Sequence, residues 1–116
     1  MVIDWSRIEA LIDGDKPEDR AWITEMIGTL RENMQVRMIN IQNSIQIQDH
    51  EKLQFELHQI KGVAANFGLD KLFNLVLESE NSLKSGNTDQ GVDMASKIQL
   101  VWIETQTELD TKFPIN

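Results

Sequence analysis

Apolar residues recur along this chain at three- and four-residue steps with no run of strict alternation, the pattern of amphipathic helices and not of strands. The clearest stretch is LQFELHQIKGVAANFGL, residues 53–69, in which Leu53, Leu57, Ile60, Ala64 and Phe67 form one stripe facing a core. At ~100° per residue, His58 falls well round from that stripe, on an outward strip with Gln54, Phe55, Gly62 and Ala65, while Lys61 lies nearer the core edge. Gly62 sits one turn beyond His58, where a larger side chain would lean back over the ring, because helical side chains tilt toward the N-terminus. A glycine inside a helix costs roughly 0.8–1 kcal/mol relative to alanine. Access to the imidazole is the reason inferred for this one.

The same periodicity predicts four further helices. Asp4 caps a short one over about residues 4–12, with Trp5, Ile8, Leu11 and Ile12 on its apolar side and Asp13-Gly14-Asp15 breaking it. Pro17, Glu18 and Asp19 form a helix start, a first-turn proline with acids placed well against the helix dipole. The helix that follows, about 17–46, carries Ile23, Ile27, Leu30, Met34, Met38, Ile41 and Ile45 on one side, with Trp22 and Met26 widening the stripe. Asp49 caps the third helix, about 49–67, and Gly68 suits the left-handed position that ends it. A fourth, about 70–85, has Leu72, Phe73, Val76, Leu77, Glu80 and Leu83 on or beside its inner face and stops at Ser85-Gly86-Asn87. The fifth is expected to run unbroken over about 88–112 through Met94, Ile98, Val101, Trp102, Thr105 and Leu109, weakened slightly by Gly91 and ended before Pro114. Short connections favour antiparallel neighbours, so the expected fold is all-α: an up-down-up-down four-helix bundle with the first short helix capping one end. Trp5, Trp22 and Trp102 are read as anchors of the core and lid and not as a ligand pocket.

Composition narrows the chemistry. A chain of 116 residues is expected to form one domain, too small to hold a nucleotide-binding catalytic domain as well. The net charge of −8 argues against nucleic acid or an anionic membrane surface as a partner. The absence of cysteine leaves no disulfide framework or thiolate metal site, and no basic, apolar leader or spanning run is visible, so a cytoplasmic location is expected.

One spacing brings two of these elements together. His58 lies ten residues before Gly68, and Glu80 ten residues after Asp70. In an antiparallel pair each leg covers roughly 15 Å at ~1.5 Å per residue, which returns Glu80 to the level of His58. A carboxylate there would hold Nδ1–H and leave the Nε2 lone pair free as an outward nucleophile. Lys61, one turn along, would lie beside any anionic group gained by Nε2 and offset its charge.

The group His58-Gln-Ile-Lys61-Gly62, with Gly68 six residues further on, resembles the H-x-x-K-G signature of histidine-containing phosphotransfer domains, closest to bacterial stand-alone or hybrid-kinase forms. The resemblance covers nearly the whole chain. It implies a phosphorelay carrier in which His58 takes a phosphoryl group from a receiver-domain aspartyl phosphate and passes it to a response-regulator aspartate. Lys61 would neutralise the phosphate, and Glu80 matches the position of an acidic or amide residue that contacts Nδ1 in several family members. It also implies no cofactor on this chain, Mg²⁺ on the partner receiver, receiver domains of a hybrid sensor kinase and a response regulator as partners, and no ATP-dependent kinase activity. A monomer is the expected state. For docking, the outward strip of Gln54, Phe55, Gly62, Ala65 and Asn66 is the candidate, with the adjoining face of the second helix. Phe55 is either an exposed partner anchor or a residue covered by the first or second helix.

Two other readings compete. A helical adaptor would bind receiver domains without being phosphorylated, and intact His58, Lys61 and Gly62 argue against it. A metal-binding bundle would use carboxylate and histidine, but Glu56 and His58 stand two apart, not at the three-residue spacing of di-iron helices. His50, beside Asp49, is assigned local solvation or capping only.

Overall fold

The computed structural model describes residues 1–12 and 16–114. It is an all-helical bundle comprising α1 (Trp5–Glu9), α2 (Pro17–Gln46), α3 (His50–Phe67), α4 (Asp70–Lys84), α5 (Thr88–Ala95) and α6 (Ile98–Lys112), with no strand among the described residues. The molecule is elongated, 48 × 23 × 19 Å. Its long axis is close to the ~45 Å that the 30 residues of α2 span at ~1.5 Å each. Among the described residues, no helix is long and apolar enough to cross a membrane.

The core follows the periodic stripes. Ile23, Ile27, Leu30, Met34, Met38 and Ile41 of α2 meet Leu53, Leu57, Ile60 and Ala64 of α3, Leu72 and Val76 of α4, and Ile98, Trp102 and Leu109 of α6. The last inward position of α2 is Ser44, which satisfies itself by donating to the Asn40 carbonyl at 2.8 Å, while Ile45 is only half-buried. α2 ends without a glycine: Gln48 takes the left-handed conformation, φ 58°, and the Asp49 N–H reaches back to the Ser44 carbonyl. Asp49 then caps α3 by accepting from the Lys52 N–H at 3.0 Å.

Gly68 closes α3 at φ 67°, and it is required twice over. A Cβ there would stand 2.6 Å from the Asp4 carbonyl oxygen and 2.7 Å from the Arg7 Cβ. The N-terminal segment is docked on this corner: the Asp4 N–H donates to the Gly68 carbonyl at 2.7 Å, and Arg7 Nη2 donates to the Ala65 carbonyl at 3.1 Å. Trp5 stacks on Phe113 at 6.4 Å between centroids, so α1 also ties down the end of α6. The lid helix is shorter than the sequence suggests, with regular helix ending at Glu9 and single turns continuing to Ile12. The break expected at Asp13-Gly14-Asp15 lies outside the described residues.

The expected fifth helix is in fact two. The Lys97 N–H bonds the Met94 carbonyl at 3.1 Å, an i→i+3 turn that tightens the chain between α5 and α6. The cause is tertiary. Gly91 is buried against α4, where a Cβ would come within 2.7 Å of the Leu83 side chain, and Ser79 Oγ donates to the Gly91 carbonyl at 2.7 Å. α5 therefore lies hard against α4, and the chain redirects at Ser96–Lys97 before α6 carries Ile98, Trp102, Thr105 and Leu109 into the core.

Trp22 departs from expectation. The residue is 47 % exposed and lines a cleft of about 490 Å³ between α2 and α3 with Met26, Leu30, Val63 and Phe67. It stands one position before Ile23, about 100° round the helix from the inward stripe that the series from Ile23 already fills. Trp102 is buried and Trp5 half-buried, as anchors of core and lid should be.

Candidate functional site

His58 sits in the middle of α3 on the side turned from Leu57 and Ile60, which are fully buried, and its own side chain is 62 % exposed. Nδ1 lies 3.3 Å from the buried Glu80 Oε2, which puts Nε2 on the ring edge away from that carboxylate. Glu80 is the unusual member of the pair. Its side chain is 1 % exposed, in the core-facing row of α4 with Val76 and Ser79. An ionised carboxylate so placed needs compensation. It comes from Lys61 Nζ, 2.5 Å from Oε1, and from Lys84 Nζ, 3.6 Å from the same oxygen. Among the described residues Oε2 accepts no hydrogen bond, and the imidazole Nδ1 is the group set against it.

The electrostatics follow from that arrangement. Burial pushes the Glu80 carboxyl up, but the Lys61 hydrogen bond and the charges of Lys61, Lys84 and His58 outweigh it, so its pKa lies below the ordinary carboxylate value. Glu80 is an anion at neutral pH, facing Nδ1. A carboxylate in this position favours the proton on Nδ1 and leaves Nε2 with an outward lone pair. The site can thus present a nucleophilic nitrogen while holding the other in place.

The outward strip is open. Phe55, Gly62 and Asn66 are exposed, and Gln54 and Ala65 half-buried, so neither α1 nor α2 covers Phe55. A Cβ added at Gly62 would meet nothing within 4 Å. Among the described residues no side chain forbids an alanine there.

Two features escaped the sequence reading. Glu56 was weighed only as a metal ligand, yet it is buried, accepting from Arg37 Nη1 at 3.0 Å and Asn40 Nδ2 at 3.2 Å across the α2–α3 interface. It turns away from His58 and is spent on the fold. Lys84 was not singled out at all, although the Glu80–Lys84 spacing, i to i+4 in the favourable order, is a readable signal. Among the described residues, no three His, Cys, Asp or Glu side chains converge to hold a metal. His50 is exposed at the start of α3 and takes no part in the site.

A helical bundle that presents an oriented histidine on an open face is the build of a phosphoryl carrier. Comparison with known families agrees: residues 25–111, well over half of the chain, match the model described as Hpt domain. The chain belongs to the Hpt domain family. Hpt domains work in two-component phosphorelays, where they engage receiver domains as phosphocarriers and not as kinases. No curated protein and no solved structure matches the chain significantly.

Proposed function

We propose that His58 is the phosphoacceptor of a relay intermediate, taking its phosphoryl group from the aspartyl phosphate of a hybrid sensor kinase's receiver and passing it to the aspartate of a response regulator. The observation that carries this reading is the exposed imidazole with Nδ1 set against a buried, ionised Glu80. The Nε2 lone pair attacks phosphorus, the bond between phosphorus and the acyl oxygen breaks, and the aspartate carboxylate leaves with that electron pair. Nδ1 keeps its proton, facing Glu80. The onward transfer is the same displacement in reverse, with the second aspartate as nucleophile. Such transfers need in-line positioning and charge neutralisation more than covalent assistance. Lys61 supplies a cation one turn from His58, and Mg²⁺ belongs to the receiver. No ATP-dependent step is assigned to this chain.

The reading extends to the frame. We take the whole chain as one phosphotransfer unit, cytoplasmic and monomeric. Its long helices are read as an antiparallel up-down-up-down set of α2, α3, α4 and the α5–α6 arm. The Arg31–Asp110 ion pair at 2.7 Å and the Gln42–Gln99 hydrogen bond support that order, since higher numbers on α2 meet lower numbers on α6. Gln54, Phe55, Gly62, Ala65 and Asn66 form the docking strip around the ring.

The test is transfer from a phosphorylated receiver to the purified protein. An acid-labile, base-stable label on His58, absent from His58→Gln, is the expected result. Receiver binding without any label would replace this reading with that of an unphosphorylated adaptor.

A further inference from the structure

We infer that Lys84 is a positioning residue of the transfer site: it takes over as counterion of Glu80 when Lys61 moves to the phosphoryl group on His58. The inference rests on His58 being the phosphoacceptor.

In the structure Lys61 is not free to meet a phosphoryl group. Its Nζ is bound to Glu80 Oε1 at 2.5 Å, and its side chain is only 24 % exposed. A phosphoryl group on Nε2 brings up to about two negative charges to the ring. Lys61, on the same helix and one turn away, is placed to reach it, but only by leaving Glu80. With the Glu80 side chain almost fully buried, departure of its main partner would strand a charge in the core, the costly case for a buried ion pair. The carboxyl would then take up a proton and weaken its hold on Nδ1.

Lys84 removes that obstacle. Its Nζ already stands 3.6 Å from the oxygen that Lys61 occupies, and its side chain is half-exposed and free to adjust. It follows Glu80 by one turn on α4 in the Glu-to-Lys order that helices favour. A movement of under ~1 Å would bring it to ordinary charge-assisted hydrogen-bond length. Glu80 then keeps a cation and its ionisation, and keeps Nδ1 oriented through the transfer. Among the described residues, the charged and titratable groups on this carboxylate are those three: Lys61 and Lys84 at Oε1, His58 at Oε2. Two lysines on one buried carboxylate exceed what its charge requires, and an exchange accounts for the second.

The experiment follows the side-chain nitrogens of Lys61 and Lys84 by ¹⁵N NMR, before and after phosphorylation with phosphoramidate. Its P–N bond breaks as Nε2–P forms, with ammonia leaving. In wild type the Lys61 Nζ signal is expected to shift on phosphorylation while Lys84 takes the signature of a carboxylate-bound ammonium; in Lys84→Gln, Lys61 should stay put. In single-turnover transfer from a saturating phosphorylated receiver, Lys84→Gln should be slower by about tenfold, the lower end of the scale of one lost charge-assisted contact, with unchanged half-saturation and recovery in Lys84→Arg. A label on His58 with Lys61 unmoved, with Lys84 moving to the phosphoryl group instead, or with Lys84→Gln transferring as wild type overturns the inference alone. A loss confined to half-saturation makes Lys84 a docking contact and overturns it too. Failure of wild type to take label from either donor overturns the phosphoacceptor reading itself.

Discussion

Glu80 decides how this site behaves. A carboxylate with a 1 % exposed side chain survives as an anion because two ammonium groups and an imidazole face it. Since its folded pKa lies below the unfolded value, its contribution to stability is complete above the unfolded pKa and is lost as pH falls through the lower, folded one. Glu80→Gln should therefore be less stable than wild type at neutral pH by about 1.5–3 kcal/mol, the range for a hydrogen bond to a charged group. The gap should narrow as pH drops below the carboxylate range. Urea midpoints across pH would show it, and parallel pH profiles for the two proteins would contradict it. The same substitution should redistribute the His58 ring tautomers, read from ¹⁵N shifts; an unaltered ring spectrum would separate Glu80 from the imidazole. His58, Lys61 and Glu80 were all legible in the sequence, since antiparallel counting alone returns Glu80 to the level of the ring. Lys84 was missed because a surface lysine acquires meaning only once the carboxylate four residues earlier is known to be buried.

At the scale of the helix, α3 and its Gly68 cap carry three kinds of demand. The stripe of Leu53, Leu57, Ile60 and Ala64 holds the core, Gly68 closes the corner, and Gly62 meets nothing among the described residues. That separation gives a prediction in which stability and function part company. Gly62→Ala should raise stability by up to about 1 kcal/mol, because alanine is the better helix former and the added methyl meets no atom. Transfer from a receiver should nonetheless slow, because the methyl narrows the approach to Nε2. A variant that is both more stable and equally fast would show that the glycine serves no approach. The α5–α6 break was not legible, for a reason that can be located: Ser96 and Lys97 carry no glycine or proline, and the turn is imposed by Gly91 letting α5 close onto Leu83 of α4. Read in sequence, Gly91 only weakened a helix.

Over the whole molecule, the apolar surface is uneven. Phe55 stands exposed one turn from His58, and Trp22 lines the neighbouring α2–α3 cleft. Phe55 lies in the proposed docking strip and outside the core, so Phe55→Ala should weaken receiver binding by about tenfold. Its unfolding midpoint should stay within ~0.5 kcal/mol of wild type. Titration against a phosphorylated receiver checks the first, and denaturation the second; a large loss of stability would mean the ring belongs to the core.

The sequence by itself determined the helical class, the inward stripes, the caps at Asp4 and Asp49, the corner at Gly68 and the outward place of His58. All of these are set by local periodicity and backbone preference, which neighbouring residues carry between them. Only the tertiary structure decided that Glu56 and Glu80 are buried and by whom they are compensated, that Trp22 lies open, that α5 and α6 part, and that Lys61 rests on Glu80 with Lys84 beside it. Those depend on which helix covers which rim of a stripe and on how closely two backbones approach, distances that a one-dimensional period does not contain.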